Sequence, residues 1–516
     1  MAQAIIPHSL FSDFDISLFQ AGKHFRLYEK LGSHAITVDG REGVYFAVYA
    51  PMAERVQVVG NFNDWQGGDH NMFVRWDSSG IWEGFIPGVK LDDIYKYEIT
   101  SKMGGELLLK SDPFAFQHEI APKTASRVWD LGFKWKDSKW MKSRRKANTL
   151  DAPFSIYEVH PTSWKMHPTG ELYTYDELGE HLVPYVKEMG FTHVEFMPVM
   201  EHPYGGSWGY QVTGFFAPTS RQGTPQDFMR LVDSFHNAGI GVILDWVPSH
   251  FPSDGHGLAT FDGSCVYEHP DPQKGYHPDW KSHIFDYTRP EVRSFLISSA
   301  LFWLEYYHID GLRVDAVASI LHLDYSREEG EWTPNQYGGN YYLEAVYEFY
   351  PDTQTIAEES TAFPMVTHPI HLGGLGFGMK WMMGWMNDTL EYFKTDPFFR
   401  RYEQGKLSFN MVYAHSENYV LPFSHDEVVH GKAPMLYKMP GDDWQKAANL
   451  RLLYGYMFMH PGNKLIFMGD EFGQTKEWNY KEELQWPLLQ YETHQHIQAV
   501  VRDLNELFTS EKAIYE

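Results

Sequence analysis

The sequence contains almost no cysteine and no long apolar run. Cys265 is the only cysteine among 516 residues, which excludes an internal disulfide and argues against a thiolate metal site. No run of about 18 consecutive apolar residues occurs, so we expect no membrane-spanning helix. Residues 1–19 lack the basic start and apolar core of a signal peptide. Together these absences predict a protein of the reducing cytoplasm.

Positive charge is also scarce. The chain has 43 Lys and Arg against 68 Asp and Glu, a formal net charge of −25, which argues against nucleic acid or an anionic membrane as a partner. Aromatic residues are abundant, with 17 Trp, 32 Tyr and 35 Phe. We expect most of them in the core, and the rest suit a carbohydrate ligand because flat rings stack on the C–H faces of sugars.

Short alternating strands occupy the first quarter of the chain. Period-2 patterns at residues 44–51, 55–60, 82–87 and 95–99 are separated by turn signals and predict half-buried strands. We therefore predict a small β-sandwich over residues 22–125, preceded by an N-terminal extension over residues 1–21. A basic, polar linker is predicted over residues 126–152.

Strands and helices alternate in the rest of the chain. Eight strand candidates lie at residues 155–160, 193–197, 242–245, 311–315, 355–358, 379–381, 419–423 and 464–468. With intervening helices they predict a (β/α)₈ (TIM) barrel over residues 153–516, an α/β fold. An insertion at about residues 251–287 should lie over the barrel mouth. A helix over residues 494–508 should close the barrel with the apolar stripe Ile497, Val500, Val501, Leu504 and Leu507.

Four of these strands end on a charged or titratable side chain. Asp245, Asp315 and Glu358 end three apolar runs, and His425 and Asp426 follow a fourth. Because the carboxyl ends of barrel strands meet at one rim, these side chains should lie together. Two carboxylates facing one bond are the minimum requirement for cleaving a glycosidic linkage, so the pattern predicts carbohydrate chemistry.

Arg313 and Asp315 are two residues apart on one strand, so both should point into the barrel mouth. A neighbouring guanidinium favours the ionised form of a carboxyl group, and a nucleophile at an anomeric carbon must be ionised. We therefore predict Asp315 as the nucleophile. A purely structural Arg–Asp pair is the alternative.

Glu358 and Glu359 are adjacent, and strand alternation sends them to opposite faces. A carboxyl group held near ionised Asp315 has a raised proton affinity, which suits a general acid. We assign the acid to Glu358, which ends the strand, with Glu359 as the alternative.

Residues 425–430 read HDEVVH, which looks superficially like a zinc-binding helix. The two histidines are five residues apart rather than four, so they do not share a helical face. A role for His425 and Asp426 in bonding sugar hydroxyls is better supported. The sequence predicts neither a metal nor a cofactor, since two carboxyl groups perform both steps of glycosyl transfer.

Several segments resemble a known enzyme family. Residues 245–250 (DWVPSH), 311–317 (GLRVDAV), 357–361 (AEEST) and 423–427 (FSHDE) resemble, in order and spacing, the four motifs of the α-amylase superfamily of glycoside hydrolases. Residues 207–218 (SWGYQVTGFFAP) are similar to a segment typical of the 1,4-α-glucan (glycogen) branching enzymes of bacterial type. Residues 60–65 (GNFNDW) resemble the carbohydrate-binding sandwich that precedes the barrel in those enzymes.

This resemblance implies a retaining transglycosylase that cleaves α-1,4-glucan chains and re-attaches them through α-1,6 linkages. It implies Asp315 as nucleophile, Glu358 as acid/base and Asp426 as a third carboxylate. The residues implied to line the subsite of the cleaved bond are Tyr210, Asp245, His250, Arg313 and His425. Family members carry a C-terminal β-domain, and no β-rich segment follows the last predicted helix, so we expect the barrel without it.

Two other functions fit parts of the sequence. An α-glucan hydrolase, of the amylase or debranching type, would share the carboxylates, but the segment at residues 207–218 argues against it. A non-catalytic glucan-binding protein is argued against by the intact carboxylates. The expected partner in each case is an α-1,4-glucan such as glycogen or amylose.

Overall fold

Two antiparallel sheets form the N-terminal sandwich. The computed structural model describes residues 3–322, residue 325 and residues 346–515. The first sheet has the order β1-β2-β5-β4, and the second has the order β3-β6-β9-β8 with β7 also paired to β6. Their bounds are β1 (Gly32–Val38), β2 (Arg41–Tyr49), β3 (Ala53–Gly60), β4 (Phe73–Val74), β5 (Ile81–Pro87), β6 (Ile94–Ser101), β7 (Leu107–Lys110), β8 (Gln117–His118) and β9 (Ser126–Arg127).

Eight parallel strands close into a barrel after the sandwich, in the order β10-β11-β14-β18-β19-β20-β21-β22. The remaining strands of the described chain are β10 (Ser155–Val159), β11 (His193–Phe196), β12 (Met200–Glu201), β13 (Gly214–Pro218), β14 (Gly241–Trp246), β15 (His250–Pro252), β16 (Tyr276–His277), β17 (Ser282–Ile284), β18 (Gly311–Val314), β19 (Gln354–Ala357), β20 (Met379–Trp381), β21 (Tyr419–Phe423) and β22 (Asn463–Phe467). The prediction of a sandwich followed by an eight-stranded barrel is confirmed.

Helices surround the barrel. In the described residues they are α1 (Asp13–Gln20), α2 (Ser138–Ala147), α3 (Tyr175–Glu188), α4 (Pro225–Ala238), α5 (Pro272–Gly275), α6 (Pro290–Tyr306), α7 (Val317–Leu321), α8 (Met383–Lys394), α9 (Gly405–Ser408), α10 (Met435–Lys438), α11 (Asp443–Met459), α12 (Glu492–Ser510) and α13 (Lys512–Tyr515). Helices α3 and α4 begin with capping boxes at Thr174 and Thr224. No helix in the described part of the chain is both long and apolar enough to cross a membrane.

A layer of apolar side chains fills the lower part of the barrel. Its buried members include Ile156, Ile243, Ile356 and Leu465, each from a different strand. Because side chains alternate along a strand, the residue two positions later points the same way and lies one layer higher. For Ile243 that residue is Asp245. The strand alternation therefore places polar side chains directly above this apolar layer.

The face by which the last long helix packs on the barrel overlaps the predicted one in part, because Ile497 and Val501 are buried as predicted. Its buried residues are His494, Ile497, Val501, Asn505 and Phe508, whereas Leu507 is 39% exposed. The prediction for Leu507 was wrong, because the buried stripe continues through Asn505 and Phe508 and leaves Leu507 on the other side of the helix. Asn505 is accommodated there by donating to the backbone oxygen of Met189 at 2.8 Å.

The predicted linker contains α2, which is attached to the barrel. The indole nitrogen of Trp140 donates to Asp310 Oδ1 at 2.9 Å, and Arg144 makes two bonds to Asp352 at 2.8 and 2.9 Å. His236 lies between two carboxylates, 2.9 Å from Asp137 and 2.9 Å from Asp310. Asp310 immediately precedes β18, so the linker is bonded to the start of that strand.

The insertion at residues 251–287 reaches both the barrel mouth and the sandwich. Its strands β15, β16 and β17 form a small antiparallel sheet. On the sandwich side, Lys110 Nζ donates to the backbone oxygen of Ala259 at 2.7 Å. On the mouth side, the ring of Trp280 lies 5.1 Å from that of His250. The insertion therefore connects the two β-structures above the site described next.

Candidate active site

Arg313 lies at the centre of a group of carboxylates at the carboxyl ends of three consecutive strands. Its Nη1 is 2.7 Å from both oxygens of Asp245 and 2.8 Å from Asp315 Oδ1, and its Nη2 is 3.1 Å from Glu358 Oε2. The guanidinium carbon lies over the indole ring of Trp381, 4.5 Å from the ring centroid. A planar, permanently charged group is suited to holding several carboxylates at once.

Backbone bonds fix the two strand ends that carry Asp315 and Glu358. Asp315 N donates to the Trp246 oxygen at 3.0 Å, which extends the ladder between β14 and β18. Ala316 adopts a left-handed backbone with φ of 52°, a conformation that costs energy for a residue with a Cβ atom. In that position its N–H donates to Glu358 Oε2 at 2.7 Å. The backbone is thus held in a strained form that orients the Glu358 carboxyl group.

Burial is the largest influence on the pKa values of Asp315 and Glu358. Burial raises the pKa of Asp315 well above its usual range, the guanidinium of Arg313 opposes this, and the charge of Glu358 adds to it. Burial likewise raises the pKa of Glu358, again opposed by Arg313. The predicted effect of Arg313, which favours ionised Asp315, is present, but desolvation is the larger effect and opposes it. Two buried carboxyl groups on one cation titrate as a pair, and burial favours the protonated form of both.

His425 lies at the end of β21 between two carboxylates. Its Nδ1 is 2.5 Å from Glu158 Oε1, its backbone N–H donates to Glu158 Oε2 at 3.0 Å, and its Nε2 is 3.5 Å from Asp426 Oδ1. Burial disfavours the imidazolium, but Asp426 and Glu158 outweigh it and raise the pKa of His425 to about 9. His425 is thus positively charged at neutral pH.

Tyr210 and His250 complete the set predicted from the sequence. The Tyr210 hydroxyl donates to Asp245 Oδ2 at 2.6 Å, and its ring stacks on that of His425 at 5.7 Å. His250 Nε2 lies 3.8 Å from Asp315 Oδ2, and burial lowers the pKa of His250 to about 3. His250 is therefore a neutral imidazole. All eight predicted site residues lie in one region at the carboxyl end of the barrel.

Glu359 has partners outside the carboxylate group around Arg313. Its side chain is fully buried and forms an ion pair with Lys380 at 2.6 Å, while Thr361 donates to it through both N–H and hydroxyl. Within the described residues, Arg313 forms an ion pair with Glu358, whereas Glu359 is paired with Lys380. The geometry thus favours Glu358 over the alternative that the sequence left open. Among the described residues, no group of three or more His, Cys, Asp or Glu side chains is arranged to hold a metal ion.

Two family profiles match parts of the chain. The profile described as carbohydrate-binding module 48 (isoamylase N-terminal domain) matches residues 30–115, and the profile of the alpha amylase catalytic domain matches residues 178–283. The chain is 59% identical to the 1,4-alpha-glucan branching enzyme GlgB of Aquifex aeolicus, over 98% of this chain and 82% of that protein. It belongs to the 1,4-alpha-glucan branching enzyme family.

Other members of the branching enzyme family are nearly as similar. Identity is 54% to GlgB of Thermosynechococcus vestitus, over 98% of this chain and 70% of that protein, and 55% to GlgB of Aromatoleum aromaticum, over 99% and 81%. A crystal structure described as that of a candidate alpha amylase from Salmonella typhimurium superimposes with a TM-score of 0.71 at 21% identity. The superposition covers 94% of this chain and 88% of the Salmonella chain, which shows a common fold.

Several aromatic residues of this branching enzyme homologue were missed by sequence reasoning. Trp208 and Trp478 lie 5.0 Å apart and both contact the ring of His425, at 5.9 and 6.2 Å. Trp280 of the insertion contacts His250. Glu158, which holds His425, was also missed. In an aromatic-rich sequence no periodicity distinguishes a tryptophan at a site from one in the core, so the signal was absent.

Proposed function

We propose that this chain is a retaining transglycosylase that breaks an α-1,4 bond of a glucan and makes an α-1,6 bond to another glucan chain. The observation that carries the proposal is the convergence of Asp245, Asp315 and Glu358 on one guanidinium at the barrel mouth. Two carboxyl groups with one shared proton are what a double displacement at an anomeric carbon requires. Membership of the branching enzyme family supports a second glucan chain, and not water, as the acceptor.

In the first step, Asp315 attacks C1 of the glucosyl unit at the cleavage point and forms a glycosyl ester. Glu358 gives its proton to the departing O4 oxygen, so the C1–O4 bond breaks and the released chain leaves as an alcohol. The raised pKa of Glu358 suits this role, because a general acid must be protonated near neutral pH. Burial also raises the pKa of Asp315, so the pKa shifts alone do not place the proton. We assign the proton to Glu358 and the charge to Asp315 because the attacking group must be ionised.

In the second step, the 6-hydroxyl of an acceptor glucan attacks C1 of the ester. Glu358, now a carboxylate, takes the hydroxyl proton, and the ester bond breaks to return Asp315 as a carboxylate. The two steps invert the anomeric carbon twice and leave the α configuration unchanged.

The other site residues are proposed to bind the sugar and stabilise the transition state. Asp426 is 41% exposed in its side chain and free to accept from sugar hydroxyls, and charged His425 and neutral His250 supply donors of different strength. Asp245 and Tyr210 hold Arg313 in place. A positively charged transition state at C1 is favoured by the surrounding carboxylates.

The test measures two products from amylose in parallel. Branching produces α-1,6 linkages with few new reducing ends, whereas a hydrolase produces reducing ends and a binding protein produces neither. We expect Asp315→Asn to retain less than about 1% of the activity, because loss of a covalent nucleophile costs several orders of magnitude. An unchanged thermal midpoint serves as the control for folding. New reducing ends without α-1,6 linkages would refute the branching assignment in favour of hydrolysis.

We also propose a cytoplasmic location. The chain has one cysteine, Cys265, and so forms no internal disulfide, which suits a reducing compartment. Fractionation of cells producing the protein tests it.

A further inference from the structure

Trp280 is an aromatic residue at the barrel mouth to which the two reaction steps assign no role. It belongs to the insertion that follows β14, and its side chain is half-buried. Its backbone oxygen accepts a hydrogen bond from Gln211 Nε2 at 3.3 Å. Gln211 directly follows Tyr210, one of the predicted site residues. The segment that carries Tyr210 therefore also holds the insertion at Trp280.

The ring of Trp280 is one side chain away from the proposed nucleophile. It stacks on the imidazole of His277, with ring centroids 4.1 Å apart and 28° between the planes, and it lies 5.1 Å from the ring of His250. Both histidines are buried. His250 Nε2 in turn lies 3.8 Å from Asp315 Oδ2. Two buried rings thus support the indole, and the part of it that stays exposed borders the mouth.

Tyr325 relates this position to the proposed acid. Its ring lies 6.2 Å from that of Trp280. Burial and then the charge of Glu358 raise the pKa of Tyr325, and the side chain of Ser360, two residues after Glu358, hydrogen bonds to it. Trp280 therefore contacts one ring beside the nucleophile and another ring beside the acid.

The chemistry determines which glucan chain occupies this side of the mouth. In the first step Glu358 must reach the O4 oxygen of the chain that leaves. In the second step it must reach the 6-hydroxyl of the chain that accepts the glycosyl unit. Both chains therefore lie on the side of Glu358, one after the other, and Trp280 lies on that side.

A second aromatic group lies on the other side of the mouth. Trp208 and Trp478 contact the ring of His425 at 5.9 and 6.2 Å. They follow β11 and β22, the two neighbours of β10, and β10 lies opposite β19 in the closed order of eight strands. The part of the donor chain that stays on Asp315 must extend away from Glu358, toward this second group. The mouth thus has an aromatic surface on each side of the cleaved bond.

We propose that Trp280 is a specificity-determining residue for the acceptor: its ring stacks on a glucose unit of the accepting glucan chain and so favours a sugar hydroxyl over water at the glycosyl ester. A flat apolar ring can cover the C–H face of a sugar, whereas it offers no comparable contact to water. The departing chain uses the same surface in the first step. The inference rests on the proposed branching function, because it concerns the choice between transfer and hydrolysis.

The ratio of new reducing ends to α-1,6 linkages made from amylose measures this choice. Trp280→Leu keeps an apolar side chain but removes the flat ring, and we expect the ratio to rise about tenfold, the scale of one lost stacking contact. Trp280→Phe keeps a smaller ring and should stay within about threefold of the wild type. The matched control is Trp444→Ala, which removes a 74% exposed tryptophan from α11 and should leave the ratio unchanged.

The same ratio separates stacking from a merely structural role. If Trp280 only held His250 in place, Trp280→Leu would slow the formation of both products equally. A lower rate at an unchanged ratio would therefore overturn the proposal, as would an equal rise in the ratio of the Trp444→Ala control. Thermal midpoints of the variants show whether each one is folded.

A measurement on the wild type does not depend on the folding of any variant. A short α-1,4-glucan labelled at its reducing end is added in increasing amounts, and the glycosyl chains transferred to it are counted. Stacking predicts that this transfer saturates with the concentration of the labelled glucan. A linear rise would show that no acceptor site exists and would overturn the proposal, even if α-1,6 linkages are made. Conversely, saturating transfer without any α-1,6 linkage would refute the branching function and leave the acceptor site established.

Discussion

Replacing Lys380 by Met should destabilise the barrel and slow the reaction together. Lys380 Nζ lies 2.6 Å from Glu359 Oε2, and the two side chains are 9% and 0% exposed. Lys380 also donates to the backbone oxygen of Thr361 at 3.2 Å. The pair therefore fixes the chain immediately after Glu358, the proposed acid.

The size of the effect follows from what the substitution leaves behind. Without Lys380, Glu359 keeps the two donors of Thr361 but loses the cation with which it is paired. An uncompensated buried charge costs about 3–5 kcal/mol. The double variant Glu359→Gln/Lys380→Met removes both charges, and we expect it to recover most of that loss, to within about 1 kcal/mol. Because Glu358 is adjacent in sequence, we expect kcat of Lys380→Met to fall by at least about tenfold.

Thermal midpoints and branching rates of four proteins test this. They are the wild type, Lys380→Met, the double variant and the matched control Lys406→Met, in which a solvent-exposed pair with Glu391 and Glu403 is removed. Exposed pairs contribute little, so the control should be close to the wild type. The reasoning is refuted if Lys380→Met is no less stable than the control, or if the double variant is less stable than the single one.

Three further predictions concern pH, metals and glucan binding. Burial opposes the charged form of His236, but Asp310 and Asp137 raise its pKa to about 9, above the unfolded value near 6.5. The wild type should therefore be more stable than His236→Asn by about 3 kcal/mol below pH 6.5, and it should lose that advantage as the pH rises through 9. Urea unfolding titrations of both proteins at each pH measure this difference. A pH-independent difference would contradict this. Activity should survive EDTA, and a loss that Ca²⁺ reverses would reveal a missed ion. Trp65, 41% exposed after a left-handed turn, should contribute a binding surface, so Trp65→Ala should migrate faster than the wild type in a glycogen-containing gel.

The fold and the strand-end carboxylates could be predicted from local patterns in the sequence, whereas Tyr210 and His250 were predicted only from the family resemblance. A strand buried on both faces is a continuous apolar run, and the charge that ends it marks the barrel rim, as at Asp245 and Asp315. Eight such runs with helices between them leave few other topologies. Glu358 could be separated from Glu359 in the same way, by strand alternation.

The residues that support the site could not be predicted, because their partners are distant in sequence. Glu158 is bonded to His425, 267 positions away. Similarly, Asn505 is polar and seemed unsuited to a buried helix face, yet its partners lie on the first barrel strand and on the residue after α3. Such pairs arise only from the tertiary fold.

The attachment of α2 to the barrel has a consequence for how the two domains can be exchanged or separated. Domains are usually joined through exposed, flexible segments, so that one can be replaced without affecting the other. Here Trp140 and Asp137 supply partners to Asp310 and His236. Asp310 immediately precedes the strand that carries Arg313 and that Asp315 follows. The segment between the domains is therefore part of the barrel's cooperative unit. A chimera that takes its sandwich from another protein must keep this segment from the protein that provides the barrel.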